Sequence, residues 1–86
     1  MLHLDLRSAV DDPRADNFST LLFRLILKAD GNNRIKLGKG YPVEVEMANI
    51  FQKECPYKDV PCDGALQEPD WEAIETLARQ RMGVVH

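Results

Sequence analysis

Residues 18–29 read FSTLLFRLILKA, and this stretch decides the fold of the chain. Its polar residues Thr20, Arg24 and Lys28 are spaced four apart, so on a helix they form one narrow stripe. The rest of the stretch is mostly apolar, and a helix with so little polar surface usually packs on several sides. We therefore predict that it is the central helix of a small bundle, with a dimer face on part of its apolar circumference as the alternative.

The residues that follow predict two further helices. Asp30 to Asn33 interrupts the apolar pattern and can cap a second, shorter helix over residues 34–37. Gly38 and Gly40 are predicted to end that helix, because glycine tolerates the left-handed conformation found after helix ends. Pro42 suits the first position of a third helix, whose core-facing stripe is Val43, Met47, Ile50 and Phe51.

A last helix is predicted to begin at Pro69-Asp70-Trp71 and to end at Gly83. Its apolar face comprises Trp71, Ile74, Leu77 or Ala78, and Met82. We interpret Trp71 first as a core anchor, and as a contact for a binding partner second, since large aromatic residues are common in both settings.

The N-terminal residues are open to more than one interpretation. Leu2, Leu4 and Leu6 alternate with polar residues, which is typical of a short half-buried strand, and an extended arm over residues 1–16 is an alternative. An opening helix that uses Leu2, Leu6 and Val10 fits equally well. Pro13 ends either element, and Asp16 or Asn17 can cap the helix that follows. The predicted fold is thus all-α: one domain over residues 1–86, a compact bundle of about four helices with a short N-terminal strand or arm as one alternative.

Length and composition narrow the class of protein. A chain of 86 residues has a thin core, and a deep enclosed active site is difficult to build in it. No nucleophile, base and orienting group can be named together, so we expect a protein that is not an enzyme and needs no cofactor. There is no run of about 18 apolar residues that could cross a membrane, and no secretory signal pattern, so we expect a cytoplasmic location.

The cysteines are interpreted as ordinary thiols. Cys55 and Cys62 flank a proline-bounded loop, and two cysteines are too few for the scaffold of a small secreted protein. A disulfide across the loop is the first alternative. A zinc site is the second, but the cysteines lack the usual close spacing, and His3 and His86 are far apart in the sequence. We predict no metal site.

Charge is distributed unevenly along the sequence. Residues 24–39 carry five basic residues against Asp30, whereas residues 40–75 carry nine acidic residues against Lys53 and Lys58. Such polarity can steer a partner of opposite charge, although an ordinary solvated surface explains it equally well. The candidate partner-binding residues are therefore the basic ones together with the tryptophan: Arg24, Lys28, Arg34, Lys36, Lys39 and Trp71.

One resemblance is carried by residues 18–45. This stretch is similar to the pattern L-x-x-L-I-x-K-A-D-x-x-N-R-x-x-L-x-x-G-[FY]-P-x-E-V of small, mostly uncharacterised helical proteins encoded by bacteriophages and prophages. The resemblance covers about a third of the chain and brings no catalytic residue with it. It implies a phage accessory protein, a group in which compact binders of host or phage proteins are common.

Two functions follow as hypotheses. The first is a non-enzymatic protein-binding module, acting on a host or phage protein and open to homodimer formation. The second is a nucleic-acid-binding helical protein that uses the basic segment 24–39. The second ranks lower, because the net charge is −3 and phosphates would repel Glu44 and Glu46 at the start of the third helix.

Overall fold

Five helices occupy residues 2–56 and 68–83, the parts of the chain that the computed structural model describes. They are α1 (Leu2–Asp11), α2 (Phe18–Lys28), α3 (Gly31–Gly40), α4 (Pro42–Lys53) and α5 (Trp71–Arg81). The prediction of an all-α bundle is confirmed. The predicted central helix, the Pro42 helix and the C-terminal helix are α2, α4 and α5, and the short second helix is α3.

The N-terminal residues form helix α1, so the prediction of an extended arm or short strand over residues 1–16 is wrong. The helical alternative holds for Leu2 and Leu6, but Val10 is 44% exposed and Ala9 packs against the core instead. Leu6 is fully buried, and Leu2 and Ala9 pack against the same core. These three residues share one face of a helix, whereas Leu4 is 50% exposed on the opposite side. A helix satisfies its own backbone hydrogen bonds, so α1 needs no partner strand.

The main core lies between α1, α2, α4 and α5. Its fully buried members include Leu6 from α1, Phe23 from α2, Ile50 from α4 and Ile74 from α5. A second, smaller cluster joins α2 to α4 and consists of Leu22, Ile26, Val45 and Ala48. Helix α3 contributes no buried residue and covers this second cluster through its half-buried Leu37.

Trp71 lies in the main core, which confirms its interpretation as a core anchor and removes it from the candidate partner-binding residues. It is 4% exposed, and its ring stacks on Phe51 with ring centroids 5.3 Å apart. Just before it, the Asp70 amide donates a hydrogen bond to the carbonyl of Pro56 at 2.7 Å, which fixes the start of α5 beside the end of α4.

Most predicted helix starts and stops are confirmed. The Asp30 carboxylate accepts a hydrogen bond from the Asn33 amide at 2.8 Å, and Asp70 accepts one from Ala73 at 3.1 Å. Pro42 occupies the first turn of α4, where its missing N–H costs nothing. Gly83 has a φ of +74° after α5, the left-handed conformation that glycine tolerates best.

The predicted role of Gly38 and Gly40 as left-handed terminators is wrong. Both lie inside the last turn of α3, which begins earlier than expected, at Gly31, and neither has a positive φ. The helix ends because Tyr41 leaves helical geometry, while its amide still donates to the Leu37 carbonyl. Gly38 faces Val45 of α4, where a Cβ would be in ordinary van der Waals contact at 3.8 Å.

Candidate protein-binding surface

The polar stripe of α2 is turned toward the protein at Thr20 and Arg24, while Lys28 at its end is exposed. Thr20 is completely buried, and its hydroxyl donates a hydrogen bond to the Asn17 side-chain oxygen at 2.6 Å. The Asn17 amide nitrogen in turn donates to the Asp5 carboxylate at 2.9 Å. Asn17 thus occupies the position before α2, as predicted, but its side chain connects α2 to α1 instead of capping the α2 backbone.

Arg24, the next residue of the stripe, fastens the connection between α1 and α2. Its guanidinium donates a hydrogen bond to the Ala15 carbonyl at 2.8 Å and a second, short one to the Asp12 carbonyl. A planar guanidinium with several donors is well suited to hold two carbonyl groups at once. Arg24 is therefore a structural residue, because two of its donors are used within the chain.

Because Thr20 and Arg24 are turned toward the protein, large apolar side chains lie on the outer side of α2. Phe18 is 67% exposed, Leu21 48% and Leu25 55%. These residues are spaced three and four apart, so they lie along one line on the helix surface. We call these three residues the outward face of α2. The Phe18 ring also contacts Tyr41, with ring centroids 6.1 Å apart, so the apolar surface continues toward the start of α4.

A groove of about 450 Å³ continues this surface between the end of α2 and α3. Leu25 belongs both to the outward face of α2 and to the wall of the groove. The groove is lined by Leu25, Lys28, Ala29, Asp30, Asn33, Lys36 and Leu37. Lys28 and Lys36 are exposed, and neither forms an ion pair among the described residues.

The five predicted basic residues do not form one basic patch. Arg34 is half-buried, and its guanidinium donates to Asn49 at 2.9 Å, to Gln52 at 2.7 Å and to the Ile26 carbonyl at 2.8 Å, so it fastens α3 to α2 and α4. The exposed members are Lys28, Lys36 and Lys39, and the groove brings together only the first two. The residue type could have separated the structural arginines from the exposed lysines, because arginine forms several hydrogen bonds at a partly buried site more readily than lysine does.

Arg24→Ala should lower the free energy of unfolding by about 1–3 kcal/mol, because two carbonyls lose charge-assisted hydrogen bonds. Lys28→Ala, on the same helix but exposed, is the matched control and should change it by less than about 0.5 kcal/mol. Urea unfolding followed by circular dichroism measures both. Equal effects of the two variants would contradict the structural role of Arg24.

Sequence reasoning missed a polar cluster between α1 and α5. The His3 backbone N–H donates to Glu75 Oε1 at 2.8 Å, and His3 Nδ1 lies 2.8 Å from the same oxygen. Arg79 Nε donates to the other carboxylate oxygen at 2.8 Å. These residues border a cavity of about 280 Å³ together with Glu72 and Thr76. A separation of 72 residues in the sequence left no local signal for this cluster.

The pKa of Glu75 is lowered. Partial burial acts in the opposite direction, but it is outweighed by the hydrogen bonds from the His3 ring, the His3 amide and Arg79. Glu75 is only 13% exposed, so its ionised form depends on these donors. The cluster thus uses one carboxylate to join the first turn of α1 to α5.

Stability should depend on pH through Glu75. A carboxyl group whose pKa is lower in the folded state stabilises the protein above its unfolded pKa, and this stabilisation is lost as pH falls through the lower folded value. We expect the free energy of unfolding to fall as the pH drops below the ordinary pKa of a glutamate, 4.5, and to fall less steeply in Glu75→Gln. Glu72→Gln, which borders the same cavity, is the control and should keep the wild-type slope.

Part of the acidic charge of the second half of the chain is neutralised internally. Arg81 donates to both carboxylate oxygens of Glu54, at 2.6 and 2.9 Å, and to Glu46 at 3.1 Å. Its hydrogen bond is the main reason that the pKa of Glu54 is lowered. The negative charge around Arg81 is therefore smaller than the number of acidic residues in the second half of the sequence suggests.

The described residues show neither a metal site nor a membrane-spanning helix. Among residues 2–56 and 68–83, no group of three or more His, Cys, Asp and Glu residues is placed to hold a metal ion. Cys55 is a half-buried thiol, while Cys62 and His86 lie outside the described residues. No described helix is long and apolar enough to cross a membrane. Comparison of the chain with protein-family models, curated proteins and solved structures finds no match.

Proposed function

We propose that this protein is a small, non-enzymatic protein-binding module, a phage accessory protein that acts on a host or phage protein in the bacterial cytoplasm. The observation that supports this proposal is the outward face of α2. Three large apolar side chains in a line on the surface are characteristic of a protein-interaction site. The resemblance of residues 18–45 to small phage proteins supplies the biological setting.

The internal contacts of α2 fix which side of the helix faces outward. Thr20 and Arg24 hold α2 to α1 and to the connection before it through polar side chains. Rotating the helix to bury Leu21 and Leu25 would break these hydrogen bonds and expose Phe23 and Ile26, which are fully buried. The outward face is thus fixed by the fold and available to a partner.

Nucleic-acid binding is the second candidate. Its support is the exposure of Lys28, Lys36 and Lys39 on neighbouring segments. It ranks below protein binding because Arg24 and Arg34 donate to groups of the protein itself. Three exposed lysines would contribute less electrostatic affinity for phosphates than five basic residues would.

Capture of partners from a bacterial lysate tests the proposal. The tagged chain is compared with Leu21→Asp and with Gln80→Asp, an exposed position on α5, each with and without nuclease. We expect a stoichiometric protein that survives nuclease, is retained by Gln80→Asp and falls at least about tenfold with Leu21→Asp, since a charge cannot be buried cheaply at an apolar interface.

Circular dichroism should show that both variants remain folded, because each substitution is at an exposed position. Recovery that disappears with nuclease would favour nucleic acid instead. Equal capture by wild type and Leu21→Asp would contradict a binding role for the outward face.

A further inference from the structure

The groove between α2 and α3 combines apolar surface with positive charge. Leu25 and Leu37 supply apolar surface, while Lys28 on α2 and Lys36 on α3 border the same space. Asp30 is the acidic residue of the lining, and its carboxylate already accepts the Asn33 amide at the start of α3. A partner that fills this groove would therefore meet net positive charge beside buried apolar contacts.

The shape of the surface matches a helix. From Phe18 to Lys28 the outward face and the groove extend about 15 Å along α2, the length of roughly three helical turns. An amphipathic helix places side chains at i, i+3 or i+4, and i+7 on one face, and it can lay them along such an apolar track. The groove volume of about 450 Å³ leaves room for several side chains.

We propose that the groove binds one amphipathic helix of a partner protein, with its apolar face on Leu25 and Leu37 and with acidic side chains next to Lys28 and Lys36. This inference rests on the proposed function and names the partner's chemistry. Charge complementarity selects an acidic helix over a basic one and speeds its association.

A second copy of the chain fits this groove poorly. Glu46 and Glu54 on α4 and its C-terminal end already pair with Arg81. Glu75 on α5 is held by His3 and Arg79. These three carboxylates are committed within their own chain, so the surfaces of α4 and α5 that carry them suit Lys28 and Lys36 less well than a helix whose carboxylates are free.

Selection from a displayed peptide library tests the inference. The probes are alanine-based helices of about four turns with a fixed leucine stripe, in which the flanking positions vary among Glu, Gln, Ser and Lys. The targets are the wild-type chain, the double variant Lys28→Glu/Lys36→Glu, and Lys53→Glu as a control, an exposed lysine outside the groove. Each target is checked for folding by circular dichroism.

We expect the wild type and Lys53→Glu to enrich glutamate beside the leucines, and the double variant to enrich lysine. The best acidic peptide should bind the double variant about tenfold more weakly, because both attractive contacts become repulsive. Its binding should shift the NMR methyl signals of Leu25 and Leu37. Absence of enrichment, the same enrichment for all targets, or shifts elsewhere would overturn the inference.

The lysate experiment separates this inference from the proposed function. A protein partner lost with Leu21→Asp but retained by Lys28→Glu/Lys36→Glu would leave the function standing and overturn the acidic-helix proposal. A partner retained by both variants would overturn both. If sedimentation shows a dimer that Leu25→Asp dissociates, the occupant is a second copy and the inference also fails.

Discussion

Leu22→Ala is expected to lower the free energy of unfolding by about 2–4 kcal/mol, whereas Leu21→Ala should lower it by less than about 0.5 kcal/mol. The two residues are neighbours of identical type. Leu22 is 6% exposed in the cluster that joins α2 to α4, while Leu21 is 48% exposed on the outward face. Truncating Leu22 removes buried apolar area and leaves a cavity, but truncating Leu21 removes surface that already contacts water.

Urea unfolding followed by circular dichroism measures this contrast at neutral pH. The same substitution at Leu25, also exposed, should resemble Leu21→Ala and serves as the internal control. If Leu21→Ala were the more destabilising of the pair, α2 would present its other side to the core. That result would contradict the exposure of the outward face and therefore the binding surface proposed on it.

Trp71→Ala is expected to lower the free energy of unfolding by about 3–5 kcal/mol, the usual cost of removing a large buried aromatic side chain. Trp71 is 4% exposed and loses its stacking on Phe51. Small domains are stable by only about 5–15 kcal/mol, so this variant should be partly unfolded in moderate urea.

Trp71→Phe is the matched control. No described residue accepts a hydrogen bond from Trp71 Nε1, so phenylalanine gives up no hydrogen bond there. We expect a cost of about 1 kcal/mol, mostly from the smaller ring. Since Trp71 is the only tryptophan, unfolding should be followed by circular dichroism rather than by fluorescence. Equal losses for Ala and Phe would indicate that the indole N–H is essential.

Local signals in the sequence predicted most helices but not every boundary. Asp30, Pro42, Asp70 and Gly83 act within one helical turn of their own position, so their roles could be read directly from the sequence. The N-terminal residues were ambiguous because Leu4 makes the leucines alternate, while Leu6 alone is fully buried. Only contact with the rest of the core distinguishes a helix from a strand there.

The candidate site was less predictable than the fold. The sequence grouped five basic residues by position along the chain, but a side chain's role depends on what surrounds it. Arg24 and Arg34 donate hydrogen bonds to backbone carbonyls of the protein, whereas Lys28 and Lys36 both line a groove. The contact of His3 with Glu75 joins distant parts of the chain and had no local signature.

The sequence by itself determined that this protein is an all-α bundle, because helix periodicity, caps and terminators are local properties of the chain. Only the tertiary structure decided which side of α2 faces outward. The amphipathic pattern offered a narrow polar stripe, and a stripe of that kind would ordinarily face solvent. Hydrogen bonds from Thr20 and Arg24 hold these two residues toward the protein, and the apolar side chains of Phe18, Leu21 and Leu25 are left on the surface.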